Sequence, residues 1–223
     1  MLKKIGQLKK FDSLEEIRVA THTNIYKGVS EGETYYIKIL KNYNKRVKSQ
    51  DVLKSKRMLE EVGLRCFDVV DTGVIEGEKY YISREVKGSD FEQMLTEGKS
   101  FGDVEGLIRE SMKMFVKMLA NNLFYFGYNL KNFMLEGENL VLIDVEEVQK
   151  KHLFKRKARV KTVWNALRSL KSGAERCNLS YERLEEMFFE VYEERTKEAV
   201  KLKKDISLYV KVRDMKKKDK KNK

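Results

Sequence analysis

The chain has 223 residues, 41% of them hydrophobic and 37% charged, enough apolar material for one cooperative, at most two-lobed body. Two cysteines far apart, Cys66 and Cys177, and two histidines, His22 and His152, leave little for a disulfide framework, a zinc centre or a His-based nucleophilic triad. Lys and Arg exceed Asp and Glu by 47 to 35, and the net charge of +12 favours polyanionic neighbours such as nucleic acid, anionic headgroups or a phosphorylated glycan.

The N-terminal Met1-Leu2-Lys3-Lys4-Ile5 lacks the apolar stretch of a secretory leader, and no later run reaches the roughly 18 apolar residues of a membrane span, so a cytoplasmic protein is expected. Glu16–Ala20, Ile25–Val29 and Thr34–Leu40 are β-branched or aromatic runs separated by the turn segments Thr21–Asn24 and Ser30–Glu33, which predicts a three-stranded antiparallel meander. From about Val47 to Val62, apolar Val52, Met58, Leu59 and Val62 recur among Lys and Glu, a helical pattern that ends at Gly63. Phe67–Ile75 and Lys79–Val86 flank the turn Glu76-Gly77-Glu78 and predict two further strands.

Beyond Gly88 the pattern changes. Asp103–Asn121 sets Leu107, Ile108, Met112, Phe115, Met118 and Leu119 at helical spacing, a buried helix that leads into a loop holding Phe124, Tyr125, Phe126 and Tyr128. Two short strands, Asn132–Leu135 and Leu140–Ile143, surround the turn Glu136–Asn139. From Lys150 onward the chain is helical and basic, with Trp164, Leu167 and Leu170 on one face and Leu184, Met187, Phe188, Val191 and Tyr192 on another. Residues 215–223 read as a disordered basic tail.

This order of elements resembles that of protein-kinase-like phosphotransferases. It implies an α+β, two-lobed fold: an N-lobe over residues 1–88 with a five-stranded antiparallel sheet and one helix, and a mainly helical C-lobe over 89–214 with a catalytic-loop hairpin. In that fold a third-strand lysine holds the α- and β-phosphates of ATP, and Lys38 in Tyr35-Tyr36-Ile37-Lys38 sits where the family has Val-Ala-Ile-Lys. Its helix carboxylate partner would be Asp51, Glu60 or Glu61, with Glu60 preferred. Ser83-Arg84-Glu85-Val86 would be the hinge that reads adenine through its backbone. The turn Thr21–Asn24 has no glycine, so a phosphate cover there would use backbone N–H groups and hydroxyls.

The segment Phe126-Gly127-Tyr128-Asn129-Leu130-Lys131-Asn132-Phe133, followed by Leu142-Ile143-Asp144, resembles the catalytic loop and metal-binding segment of bacterial small-molecule and lipopolysaccharide kinases. Asn132 and Asp144 would offer an amide oxygen and a carboxylate, the hard ligands that Mg²⁺ prefers. Five residues before Asn132, where the family has an Asp that takes the acceptor's proton, stands Gly127; Asn129 is then the residue available to orient a hydroxyl.

With Lys131-Asn132-Phe133, Leu142-Ile143-Asp144 and the downstream Arg156-Lys157-Ala158-Arg159, the chain resembles the lipopolysaccharide core heptose kinase family over roughly residues 20–170. That resemblance implies ATP and Mg²⁺ as cofactors and transfer of phosphate to a heptose hydroxyl of the inner core. Basic residues between Lys150 and Lys161 would meet core phosphates and carboxylates, and the lysine tail an anionic membrane surface. Three alternatives stay open: a nucleotide-binding pseudokinase, a kinase of another small-molecule or protein acceptor, and a basic nucleic-acid-binding or scaffold protein. The last is disfavoured because the aromatic cluster 124–128 suits a core and no specific nucleic-acid motif is present.

Overall fold

A computed structural model describes residues 11–41, 52–91, 104–150, 155–174 and 179–221. Three strands, β1 (Ser13–Val19), β2 (Thr23–Ser30) and β3 (Glu33–Leu40), run as an antiparallel meander, and helix α1 (Val52–Glu61) precedes β4 (Val69–Ile75) and β5 (Glu78–Arg84). All five strands form one sheet in the order β1-β2-β3-β5-β4. Alternation decides its two faces. In β2 and β3 every second residue is buried, which puts Tyr26, Tyr35, Ile37 and Ile39 on one side with Tyr80, Ile82 and Ile75. Phe11 closes this small core, and its ring lies over Gly28, where a Cβ would meet it at 2.6 Å.

The opposite face of β3 carries Tyr36 and Lys38, the residues interleaved with Ile37 and Ile39. Toward this side lies the larger core, which joins Val52, Met58 and Leu59 of α1 and Tyr81 of β5 to the second lobe. The segment after α1 fastens the lobes by backbone: Phe67 N–H donates to the Leu142 carbonyl and Leu142 N–H to that of Arg65, at 3.1 and 3.2 Å.

The second lobe begins with the short β6 (Ser89–Asp90) and the helix α2 (Val104–Ala120). Of the residues expected at helical spacing in α2, Ile108, Met112, Phe115, Met118 and Leu119 are buried and Leu107 is half-buried, and Ser111 and Val116 join them in the core. Next come β7 (Leu123–Tyr125), a 3₁₀ turn (Leu130–Asn132), the hairpin β8 (Phe133–Glu136) and β9 (Asn139–Leu142), and β10 (Val148–Lys150). β6 pairs with β8, and β7 with β10. The aromatic segment expected as helix end and loop therefore begins as a strand. Leu123, Phe124 and Tyr125 are all buried, so no alternation marks it. At the crossing between the lobes, a Cβ on Gly88 would stand 2.1 Å from the Leu135 carbonyl oxygen. Backbone cannot retreat as a side chain does, so Gly88→Ala is expected to cost about 1–3 kcal/mol, read as a lowered urea midpoint at unchanged slope.

Three helices complete the lobe: α3 (Lys155–Ala174), α4 (Tyr181–Thr196) and α5 (Ala199–Lys221). Phe188 of α4 packs on Phe115 of α2, and Arg168 and Arg213 both lie over the ring of Trp164 of α3, with Tyr209 at its edge. Helix α5 covers most of the segment 215–223 that the lysine run marked as a tail; lysine is a good helix former, and α5 simply continues through it. No helix among the described residues is long and apolar enough to cross a membrane.

Candidate active site

The site forms where β3 faces the β8–β9 hairpin. Lys38 Nζ stands 2.9 Å from Asp144 Oδ1 and 2.8 Å from Glu146 Oε1. Tyr81, the register partner of Lys38 on β5, donates its hydroxyl to Glu146 Oε1 at 2.7 Å, so the sheet and the post-hairpin turn share one polar cluster. Glu146 is buried to 5% exposure and its other oxygen, Oε2, has no hydrogen-bond partner.

The electrostatics follow from burial. Desolvation alone would pull the Lys38 ammonium down, but Glu146 and Asp144 outweigh it and hold Lys38 charged well above its ordinary range. Burial and the neighbouring Asp144 carboxylate push Glu146 upward in spite of Lys38. For Asp144, burial is overcome by Glu146, Lys38 and the more distant Lys131, and its pKa is lowered. The cluster thus concentrates negative charge on Asp144 and leaves Glu146 the carboxyl that keeps a proton longest.

Asn132 completes the arrangement. Its Nδ2 donates to the Tyr125 hydroxyl at 2.7 Å and to the Gly127 carbonyl at 2.8 Å. A carbonyl accepts only, so the amide orientation is fixed and its Oδ1 is turned away from both partners. The Asn132 carbonyl accepts the Ile143 N–H at 2.9 Å, tying this residue to the strand end that carries Asp144. An oriented amide oxygen and an anionic carboxylate are donor types that suit Mg²⁺. Among the described residues no group of three His, Cys, Asp or Glu is placed to hold a metal ion. Tyr125→Phe removes one of the two bonds that fix Asn132, and a stability loss of about 1 kcal/mol is expected by chemical denaturation.

No protein-family model and no curated protein matches this sequence. Solved structures do. The chain superposes on WaaP in complex with acyl carrier protein with a TM-score of 0.65 at 14% identity, over 96% of this chain and 92% of that one. The fold is protein-kinase-like. The PknI kinase domain of Mycobacterium tuberculosis also matches, as a C20A mutant and without it, with TM-scores of 0.45 and 0.46 over 74% of this chain at 14% identity.

Within the kinase-like frame the structure brings Lys38 and Asp144 together and fixes Asn132 beside the Asp144 strand; it treats the other expected site residues differently. Glu60 does not reach Lys38. Val52, Ser55 and Leu59 turn toward the core, which leaves Glu60 on the exposed side of α1, paired with Lys56 four residues earlier. Glu61 is likewise exposed, and Asp51 lies outside the described residues. The carboxylates that Lys38 meets come from the turn after β9, and Glu146 was missed because its 108-residue separation from Lys38 leaves no local signal. The adjacent run Asp144-Val145-Glu146-Glu147, polar directly after an apolar strand, was the available clue.

Glu85 cannot offer its N–H to a base, because that group donates to the Thr34 carbonyl at 3.0 Å, and its side chain meets the Tyr36 hydroxyl and Lys27. Asn129 is occupied as the cap of the 3₁₀ turn: its Oδ1 accepts the Lys131 N–H and its carbonyl the Asn132 N–H. Gly127 contributes its carbonyl to Asn132. A cavity of about 520 Å³ beside residues 84–87 is lined by Lys56, Glu60, Cys66, Asp68 and Arg84 but by none of Lys38, Asn132 or Asp144, so it is separate from this cluster. Of the basic run expected to face an acceptor, Arg156 is bound to Asp205 and Arg159 to Glu198, where they tie α3 to α5 and its approach. Lys161 lies over the Phe126 ring.

Proposed function

We propose that this chain is an ATP-dependent phosphotransferase whose acceptor is a sugar hydroxyl, a heptose of the lipopolysaccharide inner core. The observation that carries the phosphotransferase reading is the convergence of Lys38 from the sheet on Asp144 from the hairpin, with Asn132 locked alongside. The likeness to WaaP over nearly the whole of both chains supports a kinase-like activity. The heptose acceptor rests on the sequence resemblance and on the net charge of +12, which suits an anionic glycan.

Lys38 would exchange its carboxylate partners for phosphate oxygens of ATP, a transfer between anions that keeps the ammonium paired throughout. Asn132 Oδ1 and an Asp144 oxygen would hold Mg²⁺, which supplies charge neutralisation at the phosphates. Glu146, freed from Lys38, retains the Tyr81 hydroxyl as its partner. The exposed Lys131, next to Asn132, adds positive potential where phosphate charge would gather.

The test is transfer of labelled γ-phosphate from Mg·ATP to dephosphorylated lipopolysaccharide core. Label in the glycan with wild-type protein is the expected result. Label that appears in a protein or small-molecule acceptor instead would move the acceptor and keep the reaction class, while a salt-dependent shift with oligonucleotide and no response to Mg·ATP would favour the nucleic-acid alternative.

A further inference from the structure

A kinase-like site without an acidic residue at position 127 lacks the group that receives the acceptor's proton, yet a carboxylate stands in that space. A Cβ placed on Gly127 would lie 2.8 Å from Glu147 Oε2 and 3.3 Å from its Cδ. Gly127 does not have a positive φ, so its backbone does not demand glycine. What the missing side chain provides is room for Glu147.

The fold delivers Glu147 there. Val148 N–H closes a turn on the Val145 carbonyl, and Val148 is the register partner of Tyr125, so the residue just before β10 lies beside the one or two that follow β7. Asp144 and Glu146 are occupied with Lys38, but Glu147 is exposed and makes no hydrogen bond or ion pair among the described residues. It is still within electrostatic reach of the cluster: partial burial and then Asp144 raise its pKa, and Lys38 opposes them.

We propose that Glu147 is the catalytic carboxylate of this site, its Oε2 receiving the proton of the attacking hydroxyl from the place that a side chain at 127 would fill. The inference rests on the phosphotransferase reading above. In the step, the acceptor oxygen forms a bond to the γ-phosphorus, and the bond from that phosphorus to the β–γ bridging oxygen breaks with its electron pair leaving on ADP. The hydroxyl proton passes to Glu147 and from there to solvent. Water in place of the sugar gives ATP hydrolysis by the same steps, so turnover can be read without knowing the acceptor.

The experiment measures Mg·ATP turnover, with and without glycan core, in wild type, Glu147→Gln, Glu147→Ala and Glu147→Ala/Gly127→Asp, with thermal stabilisation by Mg·ATP followed in parallel. Loss of a general base predicts a fall in kcat of about 10²–10⁴-fold in Glu147→Gln and Glu147→Ala, with KM for ATP and the thermal shift unchanged. The double variant places a carboxylate in the vacated space from the other side and should recover much of that loss, a rescue that a merely structural Glu147 would not show. Wild-type turnover in Glu147→Gln overturns the assignment. So does wild-type protein that is stabilised by Mg·ATP but never turns it over, whereas absence of both stabilisation and turnover overturns the phosphotransferase reading itself.

Discussion

Lys38→Met should lower the unfolding free energy by about 3 kcal/mol near neutral pH, at the low end of what breaking a buried ion pair costs. The variant leaves Asp144 and the 5%-exposed Glu146 facing each other without their cation. The loss stays at the low end because a proton can stand in for the ammonium, and this gives the effect a pH signature. Without Lys38, burial and mutual repulsion raise both folded-state carboxyl pKa values above their unfolded values of about 4. The folded variant then binds more protons than the unfolded chain, so its stability falls as pH rises through and above that range. In wild type Glu146 is raised as well and acts in the same direction as in the variant, so the difference comes from Asp144, which is lowered in wild type, its contribution present above the unfolded pKa and lost in acid. Urea titrations at pH 5 and pH 8 should therefore show a deficit that widens at the higher pH. An equal deficit at both would mean that Lys38 contributes packing and not charge.

If Asp144 is the anionic metal ligand proposed above, Asp144→Ala is expected to cost phosphate transfer several kcal/mol of transition-state stabilisation, roughly a 10³-fold fall in kcat or more. Folding should suffer less. Lys38 keeps Glu146 at 2.8 Å, and with the like charge gone Glu146 should ionise more readily and pair with Lys38 one to one. Comparison of turnover with the unfolding midpoint separates the two effects. A loss of activity that tracked a loss of fold would argue against a metal role for Asp144.

The sheet was legible because its strands alternate: Tyr35, Ile37 and Ile39 against Tyr36 and Lys38 announce both the strand and the face of Lys38. Helix α2 was legible for the same reason at its own period. The short strands β7 and β10 were not, since three residues are too few to show a period of either kind and their pairing partner is each other, far apart in the chain. Lys38, Asn132 and Asp144 could be picked out because each stands at a fixed place relative to a local element. Partners could not. The choice of Glu60 failed on helical phase, and the true neighbours Glu146 and Tyr81 are joined to Lys38 by the docking of one lobe on the other. Arg156 and Arg159 looked like free positive charge in sequence and are paired in space, Arg156 with a residue of α5 and Arg159 with the residue just before it.

The most direct measurement of the central claim is calorimetric titration of Mg·ATP into wild type, Lys38→Met and Asp144→Ala, each repeated with EDTA. The account predicts one site in wild type, weakened when Mg²⁺ is withheld, weakened strongly in Lys38→Met, and made insensitive to Mg²⁺ in Asp144→Ala. Wild-type binding that is indifferent to Mg²⁺ and to both substitutions, or no binding at all, would contradict it.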